Sequence, residues 1–215
     1  MITIKTFSIP IYIILVSISI FSMQYYTIHK LRKTYNNIYY LIPIQTLCII
    51  TFAMILNTIN TKSIGFTSSG GALGVIISDI IFIAGIGNNK LLLNTSITSI
   101  SLAYSISKIG CLLGGCCIGI EYCGLFSIKY TDNISRLPIQ LIESIMFLTL
   151  FMIFNQIKLN YDTMIITYSA LKFLLDYFRY YNDSIELSTN QIYCIIAIII
   201  CLIIKGVKKI KCIKQ

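Results

Sequence analysis

The stretch Phe7–Tyr26, FSIPIYIILVSISIFSMQYY, contains no charged side chain. At about 1.5 Å of rise per residue a helix of this length spans most of the ~30 Å hydrocarbon core of a bilayer. It is longer than the ~7–15 apolar residues of a secretory h-region, and no A-x-A site follows it, so it reads as a retained spanning helix. Its many Ile residues do not argue for a strand. In lipid each backbone N–H and C=O must find its partner within the segment, and that makes an isolated apolar span helical.

The rest of the chain repeats this pattern. Of its 215 residues 56% are hydrophobic and 12% charged, about half the charge of a soluble domain. The mean hydropathy is +0.82. Further apolar segments run over Ile38–Leu56, Gly71–Ile86, Leu91–Ile106, Pro138–Phe154, Met164–Phe178 and Gln191–Ile204. The third and fourth segments are the weakest and read equally as a hairpin or a re-entrant pair. Pro138 suits the first turn of a helix. The expectation is an all-α, polytopic membrane helix bundle of about seven transmembrane helices, forming a single membrane-embedded domain over 1–215. No internal repeat is visible, and no room is left for a second large domain.

A net charge of +9 in a soluble protein would suggest nucleic acid. No basic patch interleaved with aromatics supports that, and the lysines fall in connections between apolar segments. With the odd-numbered connections inside, Lys30, Arg32, Lys33, Lys90, Lys158, Lys205, Lys208, Lys209, Lys211 and Lys214 face the cytoplasm. Lys5, Lys62, Lys108, Lys129, Arg136 and Arg179 face out. This asymmetry predicts N-terminus out and C-terminus in, with 205–215 as a basic cytoplasmic tail.

Charges inside apolar segments are costly and mark function. In YSALKFLLDYFR, Tyr168, Lys172, Asp176 and Arg179 recur at steps of four, four and three, which places them within an arc of about 80° on a helix. Asp176 can neutralise one of the two cations, so a positive charge is left over for an anionic headgroup; a purely structural Lys–Asp pair is the alternative. In RLPIQLIES, Arg136, Gln140 and Glu143 surround the start of the segment opened by Pro138, where a carboxylate also serves the helix dipole. Asp79, in LGVIISDIIF, has no local partner. Gly70, Gly71 and Gly74 in SSGGALG permit close approach of a backbone or a ligand. In KIGCLLGGCC and beyond, Cys111, Cys116, Cys117 and Cys123 have C-x4-C-C-x5-C spacing. That lacks paired C-x2-C units, and His29 is the single histidine of the chain, so no metal and no other cofactor is expected. Close packing, or a disulfide in an oxidising space, are the remaining readings.

Taken in order, SSGGALG, SKIGCLLGGCCIG, RLPIQLIES, YSALKFLLDYFR and STNQI resemble the motif blocks of the prolipoprotein diacylglyceryl transferase family over about 66–204. The loop matches the family's cysteine-bearing form, G-R-I-G-C-F-x-x-G-C-C-x-G. The resemblance implies a multi-pass enzyme of the bacterial cell membrane that moves a diacylglyceryl group from phosphatidylglycerol to the thiol of a lipobox cysteine in a prolipoprotein signal peptide. It assigns Lys108, Arg136, Glu143, Lys172 and Arg179 to catalysis. Ser69, Gly70, Gly71, Gly110, Cys111, Gln140, Tyr168 and Asp176 fall to substrate binding. Departures from the family pattern are Lys108 and Lys172 for arginine, Ser69 for histidine, Asp176 for glutamate, and Cys111 and Cys116 for asparagine and glutamate. Lysine offers a point charge where arginine offers a planar fork. Two rival readings stay open: a relative that binds phospholipid or lipoprotein without turnover, and a membrane thiol-redox protein.

Overall fold

The structure is a computed structural model that describes residues 2–3, 9–86, 90–130, 133–157, 159–181 and 187–213. Among these, seven α-helices are present: α1 (Ile9–Leu31), α2 (Leu41–Thr61), α3 (Ser68–Ile86), α4 (Lys90–Leu113), α5 (Ile139–Gln156), α6 (Tyr161–Asp176) and α7 (Thr189–Ile213). A 3-10 turn, Ile38–Tyr40, leads into α2. All but α6 are long and apolar enough to cross a membrane. The chain is a polytopic helical bundle.

Contacts between distant segments define two ends. At one end β1 (Ile2–Thr3) pairs in parallel with β2 (Ile128–Lys129), and β2 pairs antiparallel with β3 (Ser135–Arg136). Gly119 bridges to Arg179 there, and the Tyr193 hydroxyl at the start of α7 donates to Asn60 near the end of α2. At the other end Lys30 of α1 donates to Asn155 of α5, and Lys205 of α7 donates to Thr163 of α6. Successive helices therefore run in alternating directions, and the two termini belong to opposite ends. The orientation argued from basic residues also rests on Lys5, Lys158 and Lys214, which lie outside the described residues.

Three features differ from the sequence expectation. The third and fourth segments are full helices of 19 and 24 residues, not a re-entrant pair. α4 reads weakly because it is the central helix: Ser96, Ser99 and Ser101 are wholly buried on it. Helices gain no hydrophobic drive from packing inside lipid, so small hydroxylated residues make the interfaces. Ser105 of α4 and Ser144 of α5 each donate to the other's carbonyl, at 2.8 and 2.9 Å, and Thr27 of α1 donates to Ser99 at 3.1 Å. Ile13, Phe21, Leu47, Ile145 and Ile203 are exposed on the outside, where lipid is the solvent. Second, the stretch from Lys205 continues α7 to Ile213, because lysines extend a helix and Gly206 alone does not stop it. Third, a small sheet sits at the β end, outside the apolar segments.

α2 and α3 meet backbone to backbone. A Cβ on Gly70 would stand 2.4 Å from the Phe52 carbonyl oxygen and one on Gly74 2.5 Å from that of Cys48. The bare side of Gly70 is thus taken up by α2 rather than left open to a ligand, while Gly71 is looser, with Ile49 at 3.8 Å. Gly110 likewise packs on Leu15 of α1 at 3.1 Å.

Candidate functional site

Four elements bring charged side chains to one point at the β end of the bundle. Glu143, on the second turn of α5, is its centre. Lys108 of α4 approaches Oε2 at 2.8 Å, and Arg179, just beyond α6, donates through Nη2 to both carboxylate oxygens at 2.9 Å. The Tyr104 hydroxyl, one turn before Lys108 on the same face of α4, donates to Oε1 at 3.0 Å. Lys172 of α6 donates to that hydroxyl at 2.5 Å and lies over the Tyr104 ring, 4.4 Å from its centroid; Lys108 lies over the same ring at 5.0 Å. The side chains of Lys108, Glu143 and Arg179 are 3%, 0% and 8% exposed. Burial opposes the charge of Arg179, but Tyr104 and Glu143 beside it outweigh that and hold its guanidinium well above the ordinary value.

Asp176 closes the cluster on the far side. Arg179 Nε stands 3.4 Å from Oδ1, while Oδ2 accepts from the hydroxyls of Tyr181, at 2.8 Å, and Ser188. Burial, and after it the Asp176 charge, raise the Tyr181 phenol above its ordinary value, so it remains a donor. Ser188 also caps α7. Its Oγ accepts from Gln191 N–H at 3.1 Å and its own N–H donates to Gln191 Oε1 at 2.9 Å, the reciprocal bonds of an S-x-x-Q capping box. The STNQ stretch therefore starts a helix and holds a carboxylate at once.

Arg179 is positioned by backbone. Tyr180 N–H donates to the Ile118 carbonyl and Ile120 N–H to that of Phe178, both at 3.0 Å. On the other flank Leu137 N–H donates to the Ile120 carbonyl at 2.9 Å. Residues 118–120 are thus sandwiched between the arginine segment and the start of α5. A Cβ on Gly119 would stand 2.2 Å from the Leu137 carbonyl oxygen, so a glycine is required there.

The expected residues distribute as follows. Lys108, Glu143, Lys172, Asp176 and Arg179 converge. Tyr168 reaches the cluster through its ring, 5.9 Å from Tyr104 in an edge contact and 4.6 Å from Phe147. Arg136 is buried in β3 with its guanidinium 4.3 Å above the Tyr180 ring, one residue from Arg179. Gln140 is committed to the loop after α4: its Nε2 donates to the Cys116 carbonyl at 2.7 Å and its Oε1 accepts from Tyr130. Ser69 begins α3 with its hydroxyl buried and unbonded among the described residues. Asp79 is buried beside Ser96, two turns of α4 before Tyr104, and one of its oxygens has no hydrogen bond among the described residues. Cys111, Cys116 and Cys117 carry free thiols whose sulfurs lie within 4.8 Å of one another.

Tyr104 is the residue that sequence reasoning passed over. Its signal was present, a lone aromatic four residues before Lys108 on a serine-rich helix, but its role depends on α5 and α6 packing against that face.

Three cations against two carboxylates leave one positive charge in excess among these side chains, in a setting from which water is largely excluded. Such a cluster can hold an anion and stabilise charge developing on a leaving phosphate. The charged side chains fill the cluster themselves; a groove of about 260 Å³ lined by Phe21, Tyr25, His29 and Leu102 lies along the other half of α1. An incoming anion must therefore compete with Glu143 for Lys108 and Arg179.

No curated protein sequence matches the chain. The model of the prolipoprotein diacylglyceryl transferase family matches residues 1–206, extending the resemblance over the N-terminal third as well, and the chain belongs to that family.

Proposed function

We propose that the protein transfers the diacylglyceryl group of phosphatidylglycerol to the thiol of a lipobox cysteine, at the outer half of a bacterial cell membrane. Family membership supports a membrane transferase acting in lipoprotein biosynthesis. The observation that carries the finer reading is the meeting of Lys108, Lys172 and Arg179, from separate elements, around one buried carboxylate. In the reaction the acceptor thiol gives up its proton to solvent, its sulfur bonds to a glycerol carbon, and the carbon–oxygen bond to phosphate breaks. Glycerol phosphate leaves with the electron pair. Arg179 and Lys108 take the phosphate oxygens as they exchange Glu143 for the headgroup, and Lys172 supplies the excess charge. Glu143 holds the cations in place between turnovers. Arg136, against Tyr180, sets the outer rim beside Arg179.

A second reading, a relative that holds phospholipid without turnover, is favoured by Ser69, a poor base where the family carries histidine. One incubation separates the two. Purified protein, phosphatidylglycerol vesicles and a lipobox peptide are combined and the peptide is weighed by mass spectrometry. A gain of one diacylglyceryl group is expected. An unchanged peptide with phospholipid retained on the protein overturns the transferase reading in favour of the second.

A further inference from the structure

We infer that Cys111, Cys116 and Cys117 form a site for one thiophilic metal ion of the Zn²⁺ or Cu⁺ type. The three sulfurs lie within 4.8 Å of one another. Three thiolates at about 2.3 Å from a tetrahedral zinc stand roughly 3.8 Å apart. The cluster thus needs to contract by no more than about 1 Å, whereas a disulfide requires about 2.05 Å and the thiols are free.

The chain is built to make this cluster. C-x4-C-C spacing spreads the thiols too far along a helix, but α4 ends at Leu113 and a turn folds back over it. Gly115, with φ 66°, and Cys117, with φ 55°, both take the left-handed conformation. That is ordinary for glycine and costs about 1 kcal/mol or more for cysteine. Cys116 N–H donates to the Cys111 carbonyl at 3.0 Å, and Gln140 holds the Cys116 carbonyl from α5. Cys111 is buried and Cys116 half-buried, and the backbone of Cys117 lies on an exposed turn. Three thiolates on a divalent ion carry one excess negative charge, and Lys108 lies one turn before Cys111 on the same face of α4. Soft thiolate ligands select Cu⁺ and Zn²⁺ over Mg²⁺ or Ca²⁺.

The test uses the full chain in detergent, stripped of metal by chelator under reducing conditions and titrated with Zn²⁺ and with Co²⁺ as its coloured substitute. One equivalent should bind, with cobalt–thiolate charge-transfer absorption. Cys111→Ser and Cys117→Ser should weaken binding by about tenfold or more, while Cys123→Ser binds as the parent does; helicity by circular dichroism certifies the fold, and Cys117→Ser on the exposed turn suffices should Cys111→Ser misfold. Substoichiometric binding, binding unchanged in folded Cys117→Ser, or a disulfide among the three thiols overturns the site. Because metal binding needs no turnover, bound metal without diacylglyceryl transfer counts against the transferase reading alone.

Discussion

Glu143 holds three donors at once, and its substitution should be the most disruptive in the cluster. Glu143→Gln leaves Lys108 and Arg179 buried without their counter-charge, and losing one partner of a buried ion pair costs about 3–5 kcal/mol. A marked fall in the thermal midpoint in detergent is expected, with loss of transfer; an unchanged midpoint would mean that water or lipid already reaches the pair. Lys172 should behave in the opposite way. It contacts a phenol and its ring rather than closing the central ion pair, so Lys172→Met relieves a buried charge. The variant should stay folded while transfer falls by about 10²–10³, the loss seen when one preorganised donor to a developing charge is removed. Lys172→Arg should keep most of the rate, since it restores a planar fork for phosphate oxygens. Transfer kinetics beside melting curves read both. Lys172 was legible in the sequence as charge in the wrong solvent, and Lys108 only as an outward-facing cation of a motif that resembles the family's; that Tyr104 joins them was not, because a phenol on a helix says nothing about which helix it faces.

Two glycines show how elements divide fold from chemistry. Gly119 lets residues 118–120 lie between the Arg179 segment and Leu137. Gly119→Ala places a methyl 2.2 Å from a carbonyl oxygen and must push one flank away, so transfer should fall several-fold more than stability accounts for. Gly74→Ala offends α2 instead, 2.5 Å from the Cys48 carbonyl oxygen. It should lower the melting midpoint by an amount typical of overpacking, about 1–3 kcal/mol, yet leave transfer intact in the fraction that remains folded. Equal effects of the two on transfer at matched stability would show that the 118–120 segment does not position Arg179. The sequence marked Gly74 as a site of close approach, whereas Gly119 stood unremarked at the end of the loop motif. Which partner each approaches is a tertiary fact: Gly74 meets a neighbouring helix, Gly119 the Leu137 carbonyl in the segment that leads into α5.

Alternation of helix direction places residues 114–130, 133–138 and 177–181 at one end of the molecule and the last turns of α7 at the other. With the N-terminal face outward, as the basic residues argue, Cys123, exposed in the loop after α4, should react in intact cells with a membrane-impermeant maleimide, while a reporter fused after residue 215 should be active in the cytoplasm. Cys123 protected until the cells are lysed would invert the assignment. Long uncharged runs such as Phe7–Tyr26 were enough to settle helices over strands and seven segments over fewer, because lipid leaves the backbone no other way to satisfy its polar groups. Composition misjudged α4 for the same reason: a helix ringed by other helices needs small hydroxyls rather than apolar bulk, and resembles a poor span. By itself the sequence determined the number of helices, that they are apolar enough to lie in a membrane and which residues carry charge there. Only the tertiary structure decided that Lys108 and Arg179 share one carboxylate while Lys172 reaches it through Tyr104, that Gly70 serves a helix contact, and that three cysteines of unpromising spacing put their sulfurs together. Periodicity reports the face of a helix, whereas which faces meet depends on packing between segments far apart in the chain.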